Sequence, residues 1–246
     1  MRQFSIAHLA ALAVLLLGAV LAVVAPRRWP GGWVRVASWL LAGAILVGWV
    51  GENVAEVAEG IWTVQYSLPL QLTDAVSLSA ILALTLRRQL LVELVYFWTF
   101  TASIQAVLTP DVSNTFPNAL YFTYFLYHVG AVVAAFLLVF GCRIYPRRGA
   151  VLRVYAITLA FAAAAATGDL ITGGNYMYLR SKPIHHSLLN VMGPWPLYIV
   201  AGALLGLVLF AALAAIADAI ARRDRALRAM GPGELSPVGS ARTGSG

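Results

Sequence analysis

The sequence predicts an all-α membrane protein, a seven-helix transmembrane bundle with its N-terminus outside and its C-terminus cytoplasmic. Three observations carry this expectation. Of the 246 residues, 61% are hydrophobic and only 11% are charged, with a mean hydropathy of +0.80. A soluble domain of this size needs far more polar surface. Seven apolar runs of near-spanning length follow one another along the chain. The basic residues also divide unevenly. Of the 17 Lys and Arg residues, all but Arg2, Arg180 and Lys182 fall in one alternate set of connecting segments, which the positive-inside bias assigns to the cytoplasm. The same arginines account for the net charge of +7, so no nucleic-acid partner is implied. A lone cysteine, Cys142, excludes an intrachain disulfide and a cysteine-only metal site.

The first helix is expected over about 6–24, where His8 is the one strongly polar residue. Its apolar core exceeds a signal-peptide core and Arg27 and Arg28 follow at once, so it reads as a retained span. The second covers about 36–54 and leads into Glu52, Glu56 and Glu59. Spaced i, i+4, i+7, these occupy one helical face, either a solvated helix end or an acidic wall on a polar cavity. The third covers about 68–86 and is interrupted by Gln71, Thr73, Asp74, Ser77 and Ser79. An ionisable side chain inside a span costs roughly 2.5–3.5 kcal/mol, so Asp74 should face the bundle interior and have a partner there.

The fourth helix, about 90–108, carries Glu93 near its start and Thr101, Gln105 and Thr109 in one line. The fifth, about 119–140, places Tyr121, Tyr124 and His128 on one face. The sixth, about 151–172, repeats Ala160, Ala164 and Gly168, a pattern that lets helices pack closely in lipid, and ends near Asp169. The segment GGNYMYLRSKPIHHSLLNVMGPWP is too polar to span and too aromatic for a loose linker. Its Asn175, Tyr176 and Tyr178 are expected to fold back as a lid. The seventh helix covers about 197–216. Residues 1–220 thus form a single bundle, and 221–246 a basic, disordered cytoplasmic tail.

With this topology, Glu52, Thr73, Asp74, Gln105, His128 and Asp169 all fall in the outer half of the bilayer, at ~1.5 Å of rise per residue. One polar pocket opening outward is expected there. Thr73 and His128 are a candidate nucleophile and base, because a hydroxyl needs a neighbouring base to take its proton. Asp74 or Asp169 would orient the imidazole. Substrate contacts are expected from Glu52, Gln105, Tyr124, Asn175, Tyr176, Arg180 and Lys182, the two cations being suited to a lipid phosphate. A structural hydrogen-bonding role for His128 is the plainer alternative. His128, Asp74, Asp169 and Glu52 could ligate a metal, but no metal-binding spacing is present, and adjacent His185 and His186 make a poor chelate. No metal and no cofactor is therefore expected.

The motifs SLPLQLTDAVSLSAILAL, FWTFTASIQAVLTPD, YFTYFLYHVG, GGNYMYLRSKP and SLLNVMGPWPLYI resemble the bacterial YwaF family of integral membrane proteins. The likeness runs from about Trp62 to Phe210. That family in turn resembles a eukaryotic transmembrane acyltransferase that builds ether phospholipids. The resemblance implies functional roles for Thr73, at a position where relatives often carry cysteine, and for His128. Gln71 stands where histidine is expected. A lipid-active acyltransferase or lipid hydrolase of the cell membrane, with membrane lipids as partners, is the leading expectation. A non-catalytic membrane protein that binds or carries a lipid or small molecule is the alternative.

Overall fold

A computed structural model describes residues 4–110, 116–183 and 188–229. The described residues hold seven principal helices and no strand: α1 (Ile6–Arg28), α2 (Trp33–Ala58), α3 (Leu72–Leu86), α4 (Gln89–Leu108), α5 (Ala119–Gly141), α6 (Ala150–Thr172) and α7 (Leu197–Ala229). Six are long and apolar enough to cross a membrane, and α3, at 15 residues, is shorter. Apolar side chains such as Leu16, Leu40, Val47, Leu152 and Val208 cover the outside, as lipid contact requires.

The central helix is α5, which packs on α1, α2, α3 and α4. The buried seam of α2 is Val34, Ser38, Ala42, Ile45 and Gly48, one face at helical spacing. Gly48 is required where α5 crosses, because a Cβ there would lie 2.9 Å from the Tyr127 nitrogen. Across the same seam Gly130 makes room for Ile45. His8 of α1 is fully buried, and its Nε2 lies 2.9 Å from the Val107 carbonyl, joining α1 to α4. At the edge, α6 and α7 join the bundle through Trp98 Nε1–H to Thr158 Oγ1 (2.7 Å) and Tyr96 O–H to the Leu213 carbonyl (2.9 Å).

Several boundaries differ from expectation. The run Ser67–Leu70 is not helical, and α3 begins at Leu72 with Gln71 as its N-cap. Pro69 disfavours helix in the residue before it, and Asp74 Oδ2 accepts the Gln71 N–H at 3.0 Å, fixing the start. Both α4 and α5 loosen into π-helical turns, at Thr99–Ser103 and Phe136–Gly141. Ala160 and Ala164 turn out exposed, and of that small-residue line only Gly168 packs closely, under Leu70. The seventh helix runs on past its expected end at about 216 to Ala229, so the basic stretch from 221 to 229 is helical. Its Asp224 carboxylate is gripped by Arg27 Nη2 and Arg143 Nε, both at 3.0 Å, and by the Tyr145 hydroxyl. The rest of the expected tail, with Arg242, lies outside the described residues, as do His185, His186 and the loop around Asn114.

Candidate functional site

The end of α2, the start of α3, the first half of α5 and the end of α6 come together at one end of the bundle, opposite the arginine-rich connections. Asp74 does have the interior partner its cost demands: Trp49 Nε1–H donates to Oδ1 at 2.9 Å, while Oδ2 caps α3. Glu52, half-buried, lies beside the Tyr127 hydroxyl; Asp74 lies within electrostatic reach of both, and Glu56 within reach of Glu52 and Asp74. Thr73 is half-buried in the first turn of α3, and its carbonyl accepts from Ser77 Oγ at 2.9 Å. Among the described residues its own hydroxyl has no hydrogen-bond partner.

His128 is 3% exposed, with its ring 4.2 Å from that of Tyr124 and 4.1 Å from that of Tyr127, centroid to centroid. Its Nδ1 lies 3.0 Å from the Tyr124 carbonyl. A carbonyl can only accept, so Nδ1 carries the proton and Nε2 keeps the lone pair of a base. The imidazole is thus held by a backbone carbonyl of its own helix. Asp74 is engaged with Trp49 and Gln71, and Asp169 with Tyr176, and neither hydrogen-bonds the ring. No hydrogen bond joins Thr73 to His128 among the described residues.

The segment after α6 closes over the start of α3. Asp169, 1% exposed, accepts the Tyr176 N–H on Oδ1 at 2.6 Å, while Oδ2 is buried with no partner among the described residues. Tyr176 is fully buried. Its hydroxyl donates to the Val64 carbonyl (2.8 Å) and accepts from the Leu68 N–H (3.0 Å), and burial pushes its phenol up from the ordinary tyrosine value. Gln71 Oε1 accepts the Met177 N–H at 2.9 Å. Met177 and Tyr178 both take left-handed backbone conformations, which carry strain for residues with a Cβ and persist because these contacts hold them.

The remaining candidates are tied into the scaffold. Gln105 is exposed and pairs with Thr109 of its own helix, outside the cluster. The Tyr124 hydroxyl donates to the Ala106 carbonyl at 2.9 Å. Asn175 folds the loop on itself through Ser181, Arg180 donates to the carbonyls of Asp169 and Gly174, and Lys182 lies 5.5 Å above the Tyr198 ring. Among the described residues no three His, Cys, Asp or Glu side chains gather closely enough to hold a metal ion.

Two residues of this cluster were not singled out from the sequence, Trp49 and Tyr127. The signal for them was present in Gly48 and Gly51, one turn apart on α2 just before Glu52, which let α5 approach and bring Tyr127 beside the carboxylates. A family model described as the TMEM164 family matches residues 3–214. No curated protein and no solved structure matches the chain.

Proposed function

The chain belongs to the TMEM164 family, a family of transmembrane proteins, and from that premise we propose that it is a lipid-active acyl-transfer enzyme of the cell membrane. The observation that carries the reading is the contact of His128 Nδ1 with the Tyr124 carbonyl, from which the tautomer follows. With Nδ1–H given to the Tyr124 carbonyl, Nε2 is a neutral base inside the bundle, on a helix packed against α3, where the Thr73 hydroxyl is unengaged. As Thr73 Oγ1 attacks the ester carbonyl of an acyl lipid, Nε2 takes the hydroxyl proton. When the ester C–O bond breaks, the departing alkoxide takes that proton back. The acyl group, now an ester of Thr73, passes to an acceptor hydroxyl by the same steps in reverse. The first turn of α3 favours this chemistry, because the positive end of a helix stabilises negative charge on a neighbouring oxygen. The resemblance of the motifs to the YwaF family, which itself resembles an ether-phospholipid acyltransferase, supports the same class, and the arginine split supports an outward-facing site.

Thr73→Ala and His128→Ala, reconstituted with a phospholipid donor carrying a labelled acyl chain and a lysophospholipid acceptor, should each lower transfer by about a hundredfold or more. The double variant should be no worse than either alone, since members of one catalytic unit are strongly non-additive. Full transfer by Thr73→Ala would overturn the assignment. A non-catalytic lipid binder is the second reading, favoured by the missing hydrogen bond between Thr73 and His128. It predicts that both variants still bind lipid and that the wild-type protein transfers no label.

A further inference from the structure

The opposite, arginine-rich end of the bundle contains a cleft of about 950 Å³ between the connection from α5 to α6 and the last turns of α7. Six arginines line it: Arg143, Arg147, Arg148, Arg222, Arg225 and Arg228. Two carboxylates share the lining, Asp218 and Asp224. Asp224 is already neutralised by Arg27 and Arg143, so the cleft is strongly cationic.

Arginine at the cytoplasmic ends of spans is ordinary, and exposure alone would satisfy the positive-inside bias. This cleft has more than exposed arginine. Arg147 is anchored through its backbone N–H and its Nε to Glu93 Oε1, both at 3.1 Å, and Glu93 is fully buried. Arg143 is anchored through Nε to Asp224 Oδ2 at 3.0 Å. In both, the carboxylate takes the inner nitrogen and leaves the terminal pair without a partner among the described residues. Arg148, Arg222, Arg225 and Arg228 form no ion pair among the described residues. Two guanidinium forks are therefore held in place and unspent, with four exposed ones around them. The side chains of α7 that close the cleft, Asp218, Arg222 and Arg225, follow at i, i+4 and i+7 on one face of the extension past residue 216.

We propose that this cleft binds a phosphate monoester, the dianionic group whose oxygens accept bidentate bonds from several guanidinium forks at once. The fixed forks lower the ordering cost of binding, and the exposed ones add further donors to the ligand. Lying at the end of the spans, the cleft suits a lipid-borne monoester as well as a soluble one of the same chemistry.

The test uses the full chain in phosphatidylcholine nanodiscs. One arm adds phosphatidic acid, a lipid monoester; a second adds phosphatidylglycerol, a lipid diester; a third adds soluble glycerol 3-phosphate. Monoester binding should exceed diester binding, and the tighter of the first and third arms identifies the source. Arg222→Gln with Arg225→Gln removes two exposed forks, with no buried carboxylate left without its partner, and should weaken monoester binding about tenfold or more. Arg35→Gln removes an exposed arginine outside the cleft and should leave binding unchanged. Equal affinity for monoester and diester, or an Arg35→Gln loss equal to that of the double variant, would show diffuse charge attraction and overturn the proposal.

Discussion

A phenol that gives one hydrogen bond and takes another cannot be replaced without orphaning both partners. Tyr176 is in that position between the Val64 carbonyl and the Leu68 N–H. Tyr176→Phe keeps the ring and should cost about 1–3 kcal/mol, read as a lower unfolding temperature in detergent micelles; an unchanged temperature would show that the latch contributes nothing. Tyr145 makes a prediction about pH. Burial first, then the hydrogen bond and charge of Asp224, push its phenol up to about 12. Because the folded value lies above the unfolded value of about 10, the protonated phenol stabilises the fold. That contribution is complete below the unfolded value and is lost as the pH rises through the folded one. Tyr145→Phe should therefore flatten the alkaline fall in unfolding temperature, and identical alkaline limbs in variant and wild type would contradict it. At this scale the sequence was informative wherever a polar side chain interrupted an apolar run. Asp74 announced a partner, and Trp49 supplies it. For Tyr127 the signal lay not in the residue itself but in Gly48 and Gly51 on another helix, which bring carboxylates to its hydroxyl.

Helices fared differently from their ends. Every principal helix was legible as an apolar run, since burial in lipid needs little more than length and composition. The ends depend on partners distant in the chain. The extension of α7 reads as a charged tail because its composition is that of one. What holds it as docked helix is Asp224 meeting Arg27 and Arg143 from two other parts of the fold. Asp224→Ala should free residues 217–229, raising their amide exchange while the spans stay protected. Unchanged exchange there would mean that helix propensity alone sustains the extension. The start of α3 misled for a similar reason. Ser67–Leu70 is apolar enough for a span, yet Tyr176 takes the Leu68 N–H from far along the chain.

For the molecule as a whole, the two ends of the bundle divide the chemistry: carboxylates with His128 at one, arginines at the other. With Cys142→Ser as a cysteine-free background, an impermeant thiol reagent should label Tyr66→Cys from outside intact cells and Arg148→Cys only after permeabilisation. Tyr66 and Arg148 are both exposed, at opposite ends. The reverse pattern would invert the orientation and place the proposed transfer site on the cytoplasmic face. The pairing of Thr73 with His128 was the least legible part. Depth along a helix follows from counting residues, but rotation about its axis is set by packing, and packing turned His128 toward Tyr124 and Tyr127.

The shortness of α3 reaches beyond the protein itself. Fifteen residues rise only about 22 Å, against roughly 30 Å of hydrocarbon in a typical bilayer. The gap falls to the non-helical Ser67–Leu70 run ahead of α3 or to thinning of the flanking lipid, the latter at a cost of fractions of a kcal/mol for each ångström of mismatch. Where the lipid thins, the fold responds to bilayer thickness: longer surrounding acyl tails should strain the flank where the candidate nucleophile lies, and shorter ones relieve it.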